Sequence, residues 1–108
     1  MPIVLTHGWP GSFVEFEHLI PLLADPGAHG ADPADAFDVI VPSLPGYGLS
    51  PAPTVPGMSS RAVAGLWRAL MEDLGYGRFL VQGGDIGAGV SLWLAREHAD
   101  RVIGAHIN

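Results

Sequence analysis

The sequence predicts an α/β fold, a mostly parallel sheet of about four strands with helices on both faces. Three observations predict it. Four apolar runs, Ile3-Val4-Leu5, Val39-Ile40-Val41, Phe79-Leu80-Val81 and Val102-Ile103-Gly104-Ala105, are continuous rather than alternating. Continuous runs are the pattern of strands buried on both faces of a parallel sheet. Segments with helical apolar spacing lie between them, and the resulting alternation of strand and helix calls for right-handed crossovers within one sheet.

The elements follow in chain order. The first strand, Ile3 to Leu5, stops at His7-Gly8. Ser12 then caps a helical segment from about Phe13 to Ala24, with Glu15 at capping-box spacing. Pro21 is expected to kink or split that helix, because it has no backbone N–H and its ring clashes with the preceding turn. Asp25 to Asp38, rich in Ala, Asp, Gly and Pro, reads as a surface excursion. The second strand ends at Pro42, and Pro42 to Gly57 carries Pro-Gly, Tyr-Gly and Pro-Ala-Pro turns. Ser59 or Ser60 starts the next helix, with Val63, Leu66, Trp67, Leu70 and Leu74 as its apolar face. Gly75 ends it. The third helix is expected from about Gly87 to His98, with Val90, Trp93 and Leu94 inward.

Composition narrows the function classes. The 108 residues have a hydrophobic fraction of 48% and a charged fraction of 15%, which suits a globular core rather than a disordered tail. A formal net charge of −6, with five scattered Lys and Arg residues, argues against a nucleic-acid partner. There is no cysteine, hence no disulfide frame and no thiolate chemistry, and a cytoplasmic location is expected. Met1 to His7 has neither the basic start nor the long apolar core of a signal peptide, and no run is long enough to span a bilayer. The glycine spacings of dinucleotide and P-loop sites and the His-Glu-x-x-His zinc spacing are not met. Asp32, Asp35 and Asp38 lack calcium-loop spacing. No metal or cofactor is expected, and oligomeric state is left open.

The residues with chemical potential sit at the strand ends. Gly83-Gly84-Asp85-Ile86-Gly87-Ala88 follows the third strand and opens a helix. Small residues around one reactive side chain at such a junction are the pattern of a nucleophile elbow, whose tight turn leaves little room for neighbouring side chains. Here the central residue is a carboxylate. Already ionised at neutral pH, it can attack saturated carbon without a base, leaving an ester that a second step must hydrolyse. The alternative is that Asp85 only caps the following helix. His7-Gly8-Trp9-Pro10-Gly11-Ser12 follows the first strand. If the first and third strands are neighbours, the Trp9 N–H faces the elbow. The Ile86 N–H would be its partner in an oxyanion hole. The alternative here is a Pro-Gly turn with a buried histidine. Pro42-Ser43-Leu44-Pro45-Gly46-Tyr47-Gly48-Leu49-Ser50 follows the second strand and reads as a structural turn, with Tyr47 outside the catalytic set.

Taken together, His7–Ser12, Pro42–Ser50, Gly83–Gly87 and the closing Gly104-Ala105-His106-Ile107-Asn108 resemble, in order, the motifs of the microsomal-type epoxide hydrolases of the α/β-hydrolase superfamily. The resemblance implies a partial α/β-hydrolase fold. It implies Asp85 as the alkylated catalytic nucleophile and Trp9 and Ile86 as oxyanion-hole amides. His7, Gly8, Pro10, Gly83, Gly84 and Gly87 support the motifs, and a cis Trp9-Pro10 bond is expected. The implied partners are a small apolar epoxide and water. The family's general-base histidine, its acidic partner and its lid tyrosines have no match here, and His106 does not take the base's role. Residues 1–108 are therefore expected to be the N-terminal part of a hydrolase core, without lid and C-terminal catalytic segment and without turnover. Two other readings remain. A haloalkane-type dehalogenase uses the same aspartate chemistry but usually has tryptophan where Ile86 stands. A non-catalytic fragment or binding module would not turn over at all.

Overall fold

The structure, a computed structural model, describes residues 1–108. Strands β1 (Pro2–Thr6), β2 (Asp38–Ile40), β3 (Phe79–Gly83) and β4 (Val102–Ile107) form one sheet in the order β2-β1-β3-β4, with every pairing parallel. The connections are α1 (Leu19–Ala24), α2 (Ser60–Asp73) and α3 (Ile86–Glu97). The step from β1 to β2 runs one way across the sheet and the next two steps run the other way. Right-handed crossovers then put α1 on one face and α2 and α3 on the other.

Strand register decides which side chains share a face. Val4 lies opposite Ile40 and Val81. These three pack with Phe79, Val63, Trp67, Met71, Val90 and Leu94 in the core beneath α2 and α3. Thr6 closes that face, where its Oγ1 accepts a hydrogen bond from Trp67 Nε1 at 3.1 Å. Leu5, Leu80 and Gln82 point the other way. Burial on both faces holds for the end of β1 but not for β4, whose outer residues are largely exposed. β4 is an edge strand, and its ladder slips where Phe79 pairs with Val102 but Leu80 pairs with Gly104, leaving Ile103 as the extra residue.

Three helix expectations are corrected. The segment from Phe13 to Ala24 is two elements, a 3-10 turn (Phe13–Phe16) and α1, and the break falls at Glu17-His18, ahead of Pro21. Pro21 sits in the first turn of α1, where a missing N–H costs little. The Ser12 side chain accepts from the Val14 N–H at 3.3 Å, so Ser12 caps, but no capping box with Glu15 forms. On α2 the buried residues are Val63, Ala64, Trp67 and Met71, whereas Leu66 and Leu74 are exposed. The stripe steps by four residues, so Leu66 is turned about 100° away from Trp67. Leu74 lies past the last turn.

Other signals read as expected. Ser59 caps α2 by accepting from the Ala62 N–H. Gly75, at φ 89°, closes α2 with the paired bonds Tyr76 N–H to Met71 O and Gly75 N–H to Glu72 O. α3 begins at Ile86, buries Val90 and Leu94, and leaves Trp93 partly covered beneath Arg61 and Arg96. The Asp25 to Asp38 excursion holds two short 3-10 turns and one buried residue, Pro26.

Candidate active site

β1 and β3 are neighbours, so the loops at their carboxyl ends meet. Close approach is built from residues without side chains. A Cβ on Gly87 would overlap the Thr6 carbonyl, and one on Gly83 would overlap the Gly87 carbonyl. α3 can therefore start hard against the sheet, which fixes where the residue before it must point.

That residue is Asp85, the only non-glycine residue with positive φ, at φ 53° and ψ −122°. These angles match the first corner of a type II′ turn, near +60° and −120°, a position that favours glycine. Asp85 thus holds the N-cap position of α3 without a side-chain cap bond. Its Oδ2 instead accepts a hydrogen bond from the Trp9 N–H at 2.9 Å, across 76 positions of sequence. The Trp9 amide first, and the Ile86 amide second, hold the Asp85 carboxyl below the usual carboxylate range. The Trp9-Pro10 peptide is cis.

The loop carrying Trp9 is held from behind. His7 is fully buried, and its Nε2 accepts from the Leu44 N–H at 2.9 Å. The hydrogen then resides on Nδ1, which donates to the Gly8 carbonyl at 2.8 Å. Tyr47 meets the His7 ring edge-on at 5.4 Å. Ser43 Oγ accepts from the Phe13 N–H, and Ser50 Oγ donates to the Ser43 carbonyl. The Pro42–Ser50 loop thus positions the His7–Ser12 loop, which in turn positions the Trp9 amide. Gly8 passes so close to Asp85 that a Cβ there would lie 2.6 Å from Asp85 Cβ.

A cavity of about 250 Å³ opens beside the carboxylate, walled by Asp85, Trp9, Gly84 and Glu15 together with Gln82 and Asn108. The sequence motifs named Asp85, Trp9, His7, Gly8 and Gly84, and the structure gathers all five here. Pro10 follows Trp9 in the same loop, Gly83 and Gly87 allow the packing beneath, and Ile86 opens α3. Glu15, expected in a capping box, Asn108, expected only as the end of the closing motif, and Gln82 were not among the expected site residues. A glutamine inside an otherwise apolar strand was the available signal for Gln82. Chemically, the arrangement is a carboxylate with one oxygen held by the Trp9 N–H and open space beside it.

The sequence matches the alpha/beta hydrolase fold family over residues 1–107. The chain belongs to that family. Among relatives of this chain, a candidate epoxide hydrolase of Stigmatella aurantiaca (strain DW4/3-1) is 53% identical over 108 residues, 100% of this chain and 24% of the relative. Epoxide hydrolase 1 of Oryctolagus cuniculus is 46% identical over 107 residues, 99% of this chain and 24% of that protein. The crystal structure of juvenile hormone epoxide hydrolase from the silkworm Bombyx mori superposes with a TM-score of 0.89 at 42% identity, covering 100% of this chain and 25% of that one. The chain thus spans about a quarter of the length of these relatives.

Proposed function

We propose that this chain supplies the nucleophile and oxyanion-hole amides of an epoxide hydrolase. An Asp85 oxygen attacks one oxirane carbon, that carbon–oxygen bond breaks, and the ring oxygen takes the electron pair and then a proton. Water next adds to the ester carbon, Asp85 Cγ. The Trp9 and Ile86 amides stabilise the charge that develops on the carbonyl oxygen, and cleavage of the Cγ–O bond to the alkyl group releases a vicinal diol. The observation that carries the reading is the strained Asp85 carboxylate, bonded to the Trp9 N–H at 2.9 Å on a cavity wall. The names of the relatives support epoxides as the substrate class. Ile86 has no side-chain donor for a departing halide, which weighs against the dehalogenase reading.

The second step needs a base, and the chain's cavity histidine is unsuited to it. His7 is buried with both ring nitrogens engaged. We infer that the 108-residue chain is alkylated once and does not turn over. Intact-mass spectrometry after exposure to a reactive epoxide tests this. The expected result is one adduct on Asp85, absent in Asp85→Asn. Multiple turnover by this chain, or an adduct that survives Asp85→Asn, would overturn the reading.

A further inference from the structure

Asp85 shares its cavity with a second carboxylate. Glu15, in the 3-10 turn Phe13–Phe16, walls the same space. Gly11 makes room for it, because a Cβ there would collide with the Glu15 carboxylate. The Glu15 side chain is 49% exposed, so it is open to whatever enters. Its basic neighbour is the His7 ring, whose Nδ1 lies 3.7 Å from Glu15 Oε2. That ring does not cancel the charge. His7 Nε2 accepts from the Leu44 N–H and the Nδ1 hydrogen goes to the Gly8 carbonyl, so the imidazole is neutral.

The rest of the wall offers no cation. Gln82 and Asn108 are neutral amides tied to each other, with Gln82 Nε2–H donating to Asn108 Oδ1 at 2.7 Å. The chain has no lysine, and none of its arginines walls the cavity. Arg78 and Arg101 precede β3 and β4, at the end of the strands remote from Asp85, and Arg61 pairs with Glu97 at 2.8 Å. A space of about 250 Å³ is roughly 8 Å across, close to the screening length of physiological salt. A guest there feels both carboxylates, and a cleft lined by one sign of charge concentrates the opposite sign.

We propose that Glu15 is a specificity-determining residue of this cavity, which takes epoxides bearing a positively charged substituent in preference to neutral ones and disfavours those bearing a carboxylate. The inference rests on the reading under Proposed function and extends it to the charge of the substrate. The two carboxylates play different parts. Asp85 forms the new bond to the oxirane carbon, and its charge passes to the ring oxygen, which takes a proton from water. Glu15 forms no bond and keeps its charge throughout, so its pull on the substituent outlasts that of Asp85.

The test is the rate of Asp85 alkylation in the 108-residue chain, read by intact mass, with styrene oxides carrying a para trimethylammonium, tert-butyl or carboxylate group. The first two have the same shape and differ in charge. Each rate is divided by that of the same epoxide with free acetate, which removes intrinsic reactivity. Any effect of a substitution on Asp85 itself is common to all three and cancels in the ratios between them. In Glu15→Gln the cation-to-neutral ratio should fall by about threefold or more at low salt, and the anion-to-neutral ratio should rise by a similar factor. Both changes should vanish in 1 M salt, where screening acts over about 3 Å. Glu15→Asp, which keeps the charge, should retain most of the wild-type preference. Smaller changes in Glu15→Gln, changes that persist in 1 M salt, or a wild type that does not distinguish the three epoxides would overturn the assignment. If Glu15→Gln does not fold, Glu15→Ala decides by the same criterion. Loss of folding in both would make Glu15 a structural tie and overturn it as well. A folded wild-type chain that forms no Asp85 adduct with any of the three would instead refute the reading on which this one rests.

Discussion

Gly8→Ala should disable Asp85 with the carboxylate still in place chemically. The added methyl would lie 2.6 Å from Asp85 Cβ and 2.7 Å from Oδ2, about 0.8 Å inside ordinary van der Waals contact. Either the Trp9 loop or the elbow must give. The Trp9 N–H bond to the same oxygen is 2.9 Å long. A shift of that size along the bond carries it beyond the roughly 3.5 Å at which an N–H···O contact stops being a hydrogen bond. Misplacement on this scale costs on the order of 100-fold in rate, more than the nucleophilicity the carboxylate regains when the Trp9 amide no longer holds it. The assay is the pseudo-first-order rate of Asp85 alkylation by a reactive epoxide, read by intact mass, with a thermal melt of each variant alongside. A second readout follows from the same displacement. Losing the Trp9 amide should let the Asp85 carboxyl rise back toward its ordinary value, so the acid limb of alkylation moves to higher pH. Alkylation within twofold of wild type in folded Gly8→Ala would refute the argument that this contact sets the carboxylate.

Gly87→Ala meets the Thr6 backbone rather than a side chain, so it should destabilise the fold by about 3 kcal/mol, measured by urea denaturation. Asp85→Gly should abolish alkylation yet raise Tm by roughly 5 °C, because glycine accepts φ 53° without strain; an unchanged or lowered Tm would count against strain at the elbow. His7→Leu leaves the Leu44 N–H and the Gly8 carbonyl unpaired in the interior, a loss of about 2–5 kcal/mol in urea denaturation. Wild-type alkylation should hold its plateau as pH falls to the ordinary aspartate value of about 3.9 and decline only below it, because the folded carboxyl is held lower. The stability linked to that depressed ionisation is complete above the unfolded value and disappears as pH falls through the folded one. The stability gap between wild type and Asp85→Asn should therefore narrow on acidification in the same window.

Much of the fold was legible because local and global requirements agree. The apolar runs became strands within a residue or two, and Gly75 ended α2 through a bonding pattern that only a left-handed residue completes cheaply. The failures have physical causes. The face of α2 was read one position off because the Leu66 side chain is as apolar as its neighbours, and only packing against β1 and β3 chooses the stripe. Glu15 had capping-box spacing, but its carboxylate lies 3.7 Å from His7 Nδ1. At the site, motif spacing pointed to Asp85 and Trp9 because glycines mark places where backbones must touch. Gln82 and Asn108 carried no such mark. Their relation depends on the register that sets β3 beside β4, a long-range property that spacing does not encode.

The two amides at Asp85 act unequally on the two steps of the proposed reaction. In the resting state they face a carboxylate that shares one negative charge between two oxygens, and by stabilising it they lower its basicity and blunt its attack on carbon. In the ester the same position holds a neutral carbonyl oxygen, a weaker acceptor. When water adds, a full charge forms there, so the amides bind the second transition state more strongly than the intermediate before it. Only such differential binding accelerates a step. The Trp9 and Ile86 amides therefore belong to ester hydrolysis, and the depressed Asp85 ionisation is the cost they impose on ester formation. That cost makes the first step depend on donors to the oxirane oxygen. None of the groups that hold Asp85 can serve, because the Trp9 amide is already spent on the carboxylate and His7 on the backbone. A strained epoxide whose ring opens without such help should therefore alkylate this chain, while an unactivated one should not. Equal alkylation rates for the two would show that a donor to the oxirane oxygen is present in this chain after all.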